Sequence, residues 1–348
     1  MSVQSESFGR LPDGREATLF TLKNGNGMTL RVTNYGCRIV SLLVQDKNGI
    51  FGDVVLGHRT LEEYFGANYQ GTFVGRYANR IGNAEFSHNG VTYHLSKNDG
   101  KNTLHGGPGG YHQVLWNAQV KDGEEPAIVF THISSDGEEG YPGTLEMTVT
   151  YTLTKENELV LDYEGVSDKE TPFNPTNHSF FNLSGDPQKK VYDTKLTLHA
   201  GAVTAVSDDL IPDGNLLPVA GTPLDFTKEK PLGQDMFAED HLIQLCGGFD
   251  HNFCVDGEGF RKHGAAFDPE SRRVMEVYSD MPGVQLYTFN SVEGLTGKDG
   301  KPMQPHTAFC LETQFYPDSV NHENFPFSFL QPGKPFSSRT VYRFSVKQ

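Results

Sequence analysis

His178 sits in a run of hydrogen-bonding and aromatic residues: Thr176, Asn177, Ser179 and Asn182 beside Phe173, Phe180 and Phe181, with Pro172 and Pro175 stiffening the approach. Imidazole is the side chain whose unperturbed pKa lies nearest neutrality. In polar, aromatic surroundings it suits proton transfer to a ring-shaped polar substrate. The same residues also describe a buried structural histidine, so partners must come from elsewhere in the chain. The first is Glu312, in the run Ala308 to Phe315. Side chains of a strand alternate in direction, so Phe309, Leu311, Thr313 and Phe315 share one face, and Cys310, Glu312 and Gln314 the other. A carboxylate mounted on a sheet is well placed to abstract a proton. The competing reading is a solvated strand face.

Other candidates follow. Asp250, His251 and Asn252 come after Gly247 and Gly248, which let the backbone approach a neighbour closely. Asp250 is either a ligand for a sugar hydroxyl or a turn residue capping Asn252. Arg76 and Arg80, either side of Asn79, are surface charges, buried counter-ions or donors to a polar oxygen, a task the guanidinium fork suits. His105 precedes Gly106, Gly107, Pro108, Gly109 and Gly110. That loop lacks the G-K-[ST] ending of a phosphate cradle and reads as a wall from which His105 projects into a pocket. Gln285, in an alternating run, either reaches a hydroxyl or faces water. The acidic turn from Asp136 to Gly143 is a hairpin connection or a binding loop. Trp116 reads as core in preference to a sugar platform.

These residues need a scaffold of strands. Short alternating apolar runs recur at 17–22, 28–33, 38–45, 127–133, 145–153, 158–166, 195–200, 249–255, 274–278, 284–289, 308–315 and 339–346. Phe86 to Val91 reads as a tight hairpin, because Asn89-Gly90 tolerates the positive φ of a type I′ turn. Helical periodicity is scarce. Thr60 to Phe65 is expected as one short helix, capped by Thr60 with Glu63 three residues on. With no recurring strand-helix-strand unit, the expected class is all-β: packed antiparallel sheets in a large sandwich, one domain over 1–348.

Composition narrows the function classes. The chain has 348 residues, 24 of them Phe and 14 Tyr, and 29 basic against 44 acidic residues give a formal charge of -15. Nucleic acid is therefore not an expected partner, since no basic run reverses that sign locally. No charged start leads into a long apolar stretch, so neither signal peptide nor membrane span is expected, and the expected compartment is the cytoplasm. Cys37, Cys246, Cys254 and Cys310 form no C-x-x-C pair. Cys246 and Cys254 near His241 and His251 match no familiar zinc spacing, so no metal is expected. No dinucleotide fingerprint, G-x-S-x-G elbow or H-E-x-x-H motif occurs, and no cofactor is expected.

Five segments together resemble the aldose 1-epimerases, also called galactose mutarotases: Gly75 to Ile81, Leu104 to Gly107, Thr176 to Leu183, Gly248 to Asn252, and Leu311 to Gln314. They occur in family order, and the resemblance spans nearly the whole chain, from Asn34-Tyr35-Gly36 to the C-terminal strand. The resemblance implies a galactose mutarotase-like β-supersandwich with an open sugar cleft on one sheet, acting on free aldohexoses such as galactose and glucose as a monomer or homodimer. It implies Glu312 as general base, His178 as general acid and His105 as a second histidine near the ring oxygen. Asn79 and Arg80 correspond to a polar pair beside that oxygen, Asp250 to a carboxylate holding sugar hydroxyls, and Gln285 to a residue lining the cleft. Exchange of anomers needs the ring opened, C1 turned about the C1–C2 bond, and the ring closed, with one proton leaving the C1 hydroxyl as another reaches the ring oxygen. The base is expected to be partly desolvated. Three rivals remain: a glycoside hydrolase using Asp250 and Glu312, a non-catalytic sugar-binding module, and a relative for phosphorylated hexoses, for which Arg76 is the spare cation.

Overall fold

A computed structural model describes residues 3–66 and 68–348. Residues 1, 2 and 67, which the expected unit 1–348 includes, lie outside the described residues. Leu145–Leu153 shows why strands dominate: Leu145, Met147, Val149, Tyr151 and Leu153 point inward while the residues between them stay more accessible. A period of two is what a sheet with one buried face requires.

Among the described residues the strands build two five-stranded sheets and one nine-stranded sheet, with three two-stranded ribbons. Every ladder is antiparallel. The N-terminal sheet runs in chain order from Gln4–Arg10 to Phe51–Asp53. The nine-stranded sheet centres on Leu145–Leu153, Glu158–Ser167 and Phe336–Val346. The third sheet, which carries the site, orders Pro212–Pro218, Ala200–Val206, Asp250–Val255, Gly283–Tyr287 and Cys310–Gln314. One apolar cluster joins the three: Leu22 and Val32 from the first, Val149 and Tyr342 from the second, Phe253, Leu286 and Leu311 from the third. The Tyr342 hydroxyl donates to Leu311 O at 2.8 Å, tying the back of the site sheet to the central sheet.

Most expected strands are present within a residue or two. The Asn89-Gly90 hairpin forms with φ of 50° and 77°, both positive as a type I′ turn requires. Two expectations need correction. The run 195–200 is not one strand: Lys195–Leu198 belongs to the central sheet and Ala200–Val206 to the site sheet, so the chain changes layers at His199. The run 60–65 forms only a 3₁₀ turn, Glu62–Tyr64. The Glu63 carboxylate does reach back to the N–H groups of Arg59 and Thr60, at 2.9 and 3.1 Å. The turn stops there because Phe65 is already extended, at φ -70° and ψ 154°. The one α-helix among the described residues, His241–Cys246, had no periodic signal. Asp240 caps it and Gly247, at φ 67°, ends it. No helix among the described residues is long and apolar enough to cross a membrane.

Candidate active site

Glu312 lies at the centre of Cys310–Gln314, a strand buried on both faces. Phe309 and Leu311 enter the main core, as alternation requires, and Cys310, Glu312 and Gln314 take the other side. That side is covered, so the solvated-face reading is excluded: Glu312 is 2% exposed. His178 ends the short strand Thr176–His178, which pairs with Thr72–Val74. Its ring is nearly parallel to Phe180 (centroids 4.9 Å, 19°) and to Tyr69 (6.0 Å, 22°). Its Nδ1 lies 3.7 Å from Cys310 Sγ, and its Nε2 lies 3.6 Å from Glu312 Oε1. Both groups line one cavity of about 440 Å³, a volume in the range of small-molecule sites.

The surroundings set the protonation of this pair. Burial, with the negative charge of Asp250 nearby, pushes Glu312 well above the usual carboxylate range. Burial also brings His178 down, to about 4. Both shifts favour the uncharged forms of the pair, a protonated carboxyl beside a neutral imidazole, which share one proton. Moving it to Nε2 creates a carboxylate and an imidazolium without changing the proton count. Glu312 Oε2 is buried with no hydrogen-bond partner, so a hydroxyl that donated to it would favour the charged form.

His105 stands at φ 50° after the two-residue strand Thr103–Leu104. Its N–H donates to Asn79 O at 3.0 Å, and its Nδ1 accepts from the Asn79 N–H at 3.1 Å. A backbone N–H aimed at Nδ1 keeps the ring neutral with its proton on Nε2, in line with the strong depression that burial and the adjacent His178 impose. His105 is thus a neutral N–H donor, and Tyr69 packs on it at 4.7 Å. Gly106 must be glycine: a Cβ there would lie 2.1 Å from Gly75 O. The Asp136–Gly143 turn is not part of the cavity lining. It braces the glycine loop from outside, with Glu139 Oε1 accepting from the Gly109 N–H at 3.0 Å.

Asn79, Arg80 and Asp250 line the cavity with the catalytic candidates. The Asn79 amide oxygen accepts from the Arg80 N–H at 2.8 Å, and Arg80 Nε donates to Asp99 at 2.7 Å. Gln285 is placed differently from the expectation. It lies behind the lining, 4% exposed, across the ladder from Glu312, and its amide donates to Asp250 Oδ1 at 2.7 Å. Arg76 is also remote from the cavity lining. Its guanidinium is consumed by Pro142 O, Gly143 O, Thr171 and Ser134. Trp116 is core.

Cavity residues without a sequence signal include Tyr69, Leu210, Asn290 and Ser291. They come from loops and strand ends whose convergence is tertiary. Gly248 offers a partial clue: a Cβ there would meet Asn290 Oδ1 at 2.4 Å, so the glycine marks where that wall closes.

The ligand atoms of His105, His178 and Glu312 fall within 4.8 Å of one another, the outline of a two-histidine, one-carboxylate metal site. The Asn79 N–H defeats that use. One His105 nitrogen has its lone pair taken and the other carries the proton, so neither offers an electron pair to a cation. The trio fits hydroxyl groups instead. Paired donors and acceptors in an aromatic-walled cavity suit a sugar.

Comparison with known proteins is consistent with that reading. The profile of the family described as aldose 1-epimerase matches residues 18–343. The galactose mutarotase of Rattus norvegicus is 42% identical over 349 residues, covering 99% of both chains. The aldose 1-epimerase of Escherichia coli (strain K12) is 35% identical over 338 residues, covering 96% of both. Among solved structures, the galactose 1-epimerase from Lactobacillus acidophilus NCFM superposes with a TM-score of 0.89 at 27% identity, covering 100% of both chains.

Proposed function

The chain belongs to the aldose 1-epimerase family and is an isomerase that interconverts the α and β anomers of aldoses, and we propose that Glu312 and His178 perform both proton transfers on a free aldohexose such as galactose or glucose. The observation that carries this assignment is the 3.6 Å between His178 Nε2 and Glu312 Oε1 in a shared cavity. The C1 hydroxyl oxygen and the ring oxygen are bonded to the same carbon. An acid and a base that serve them together must therefore converge as these two atoms do.

In the proposed step, a sugar hydroxyl bonds to Glu312 and the pair's proton moves to His178 Nε2. Glu312 then takes the C1 hydroxyl proton while His178 protonates the ring oxygen, and the C1–O bond to the ring breaks. Rotation about C1–C2 presents the other face of the aldehyde, and the transfers reverse. His105, as a neutral N–H donor, and Arg80 stabilise charge on the ring oxygen. Asp250, oriented by Gln285, holds sugar hydroxyls. The consumption of Arg76 by backbone carbonyls speaks against a phosphorylated hexose. A hydrolase would require a second carboxyl acting across the glycosidic bond, whereas the partner that faces Glu312 at 3.6 Å is an imidazole.

Polarimetry on freshly dissolved α-galactose tests the assignment. Glu312→Gln should lose roughly 10²–10⁴-fold in kcat. A rate within a few-fold of wild type, after subtraction of spontaneous exchange, would remove Glu312 from the mechanism.

A further inference from the structure

Among the described residues lining the cavity, Arg80 is the one arginine or lysine. It spends Nε–H on Asp99 Oδ2 at 2.7 Å in a partly buried ion pair, the two side chains 15% and 35% exposed. Its Nη groups bond to no described residue, which leaves the Nη1/Nη2 fork free for a ligand. Asp99 lies outside the cavity lining and is built into place. Its N–H and carbonyl both exchange hydrogen bonds with Asn102. The neighbouring Asn98 side chain accepts from the Leu104 N–H at 2.7 Å and donates to Leu104 O at 2.9 Å, so the same turn holds the strand that leads into His105. Of the two lysines two residues from Asp99, Lys97 and Lys101, the second is engaged by Asp209 at 2.9 Å.

A guanidinium with a free fork is a natural carboxylate receptor. Here a carboxylate already occupies it from behind, and Asp250 adds another negative group to the cavity wall. We propose that Asp99 is a specificity-determining residue: it aims Arg80 at the sugar and cancels its charge, so that the cleft accepts neutral aldoses and rejects sugar acids. The excluded class is the hexuronates, which keep the ring and the anomeric hydroxyl of a hexose but carry a carboxylate at C6. The inference rests on the cavity being the sugar site.

Galacturonic acid and galactose, compared by polarimetry on the full-length enzyme, provide the test. In the wild type, kcat/KM for galacturonate should be at least on the order of 10-fold below that for galactose. In Asp99→Asn, which keeps an acceptor for Nε–H, the galacturonate-to-galactose ratio should rise by roughly 10-fold, through KM, because one negative charge has left a partly buried site. Added salt should shrink that gain, and Asp99→Glu should restore discrimination. A ratio unmoved in Asp99→Asn, or equal losses on both sugars, would reduce Asp99 to a structural role. Should Asp99→Asn not fold, the wild type alone decides: galacturonate that competes with galactose as well as a neutral hexose does would overturn the inference. In each of these outcomes wild-type turnover of galactose stands. Failure of that turnover would instead strike the proposed function.

Discussion

At the residue scale, the Glu312 and His178 pair is a costly feature that the fold maintains. A carboxyl raised far above its unfolded value weakens the folded state at neutral pH: above about pH 4.5 the unfolded chain releases a proton that the folded chain retains. Glu312→Gln removes that penalty and is expected to raise the unfolding free energy at pH 7, as activity collapses. Denaturant titration of both proteins checks the sign. The same proton count predicts a bell-shaped pH dependence of kcat/KM. The acid limb is the pair gaining a second proton, and the alkaline limb is the pair losing its only one, and both limbs belong to the pair and not to either residue. His178 and Glu312 stood out as candidates because each has a local signature, a polar aromatic run and a strand with an apolar back, and the resemblance supplied their roles. Gln285 stood out less. Alternation left its amide either reaching a hydroxyl or facing water, and only the ladder with Asp250–Val255 shows that it is spent on Asp250.

At the element scale, the site is held by short pieces whose backbones leave little choice. His105 and Asn79 both have positive φ and bond reciprocally, and Gly106 passes against Gly75 where no side chain fits. Gly106→Ala must push the His105 loop off Gly75. The expected outcome is a loss of about 2–4 kcal/mol in stability together with a large fall in kcat, measured by denaturation and polarimetry. Long alternating strands such as Leu145–Leu153 were readable because one face is buried throughout. The layer change at His199 was not, because both halves of 195–206 alternate alike and only their partners differ. The His241–Cys246 helix was hidden for a different reason: its six residues are too few to show a period, and its cap, Asp240, looks like any loop aspartate.

At the scale of the whole molecule, burial of neutral histidines links stability to pH. Burial lowers His112 and His263 to about 3 and His178 to about 4, whereas the unfolded chain titrates them near 6.5. Below that pH the unfolded state binds protons that the folded state refuses. Each such histidine should therefore cost roughly 1.4 kcal/mol per pH unit between pH 6.5 and about 4. Denaturation midpoints should fall steadily from pH 7 to pH 5, and a flat profile would show that these rings are accessible or paired. The core shared by three sheets was foreseen in its class but not in its layering, since composition and alternation specify strands without saying which strand is whose neighbour.

The central claim is that Glu312 and His178 act as one proton-transfer unit. The most direct test compares kcat on α-galactose for Glu312→Gln, His178→Asn and the double variant. Two halves of one device fail together, so the double variant is expected to be no slower than the worse single variant. Losses that multiply would show two independent contributions and contradict the account.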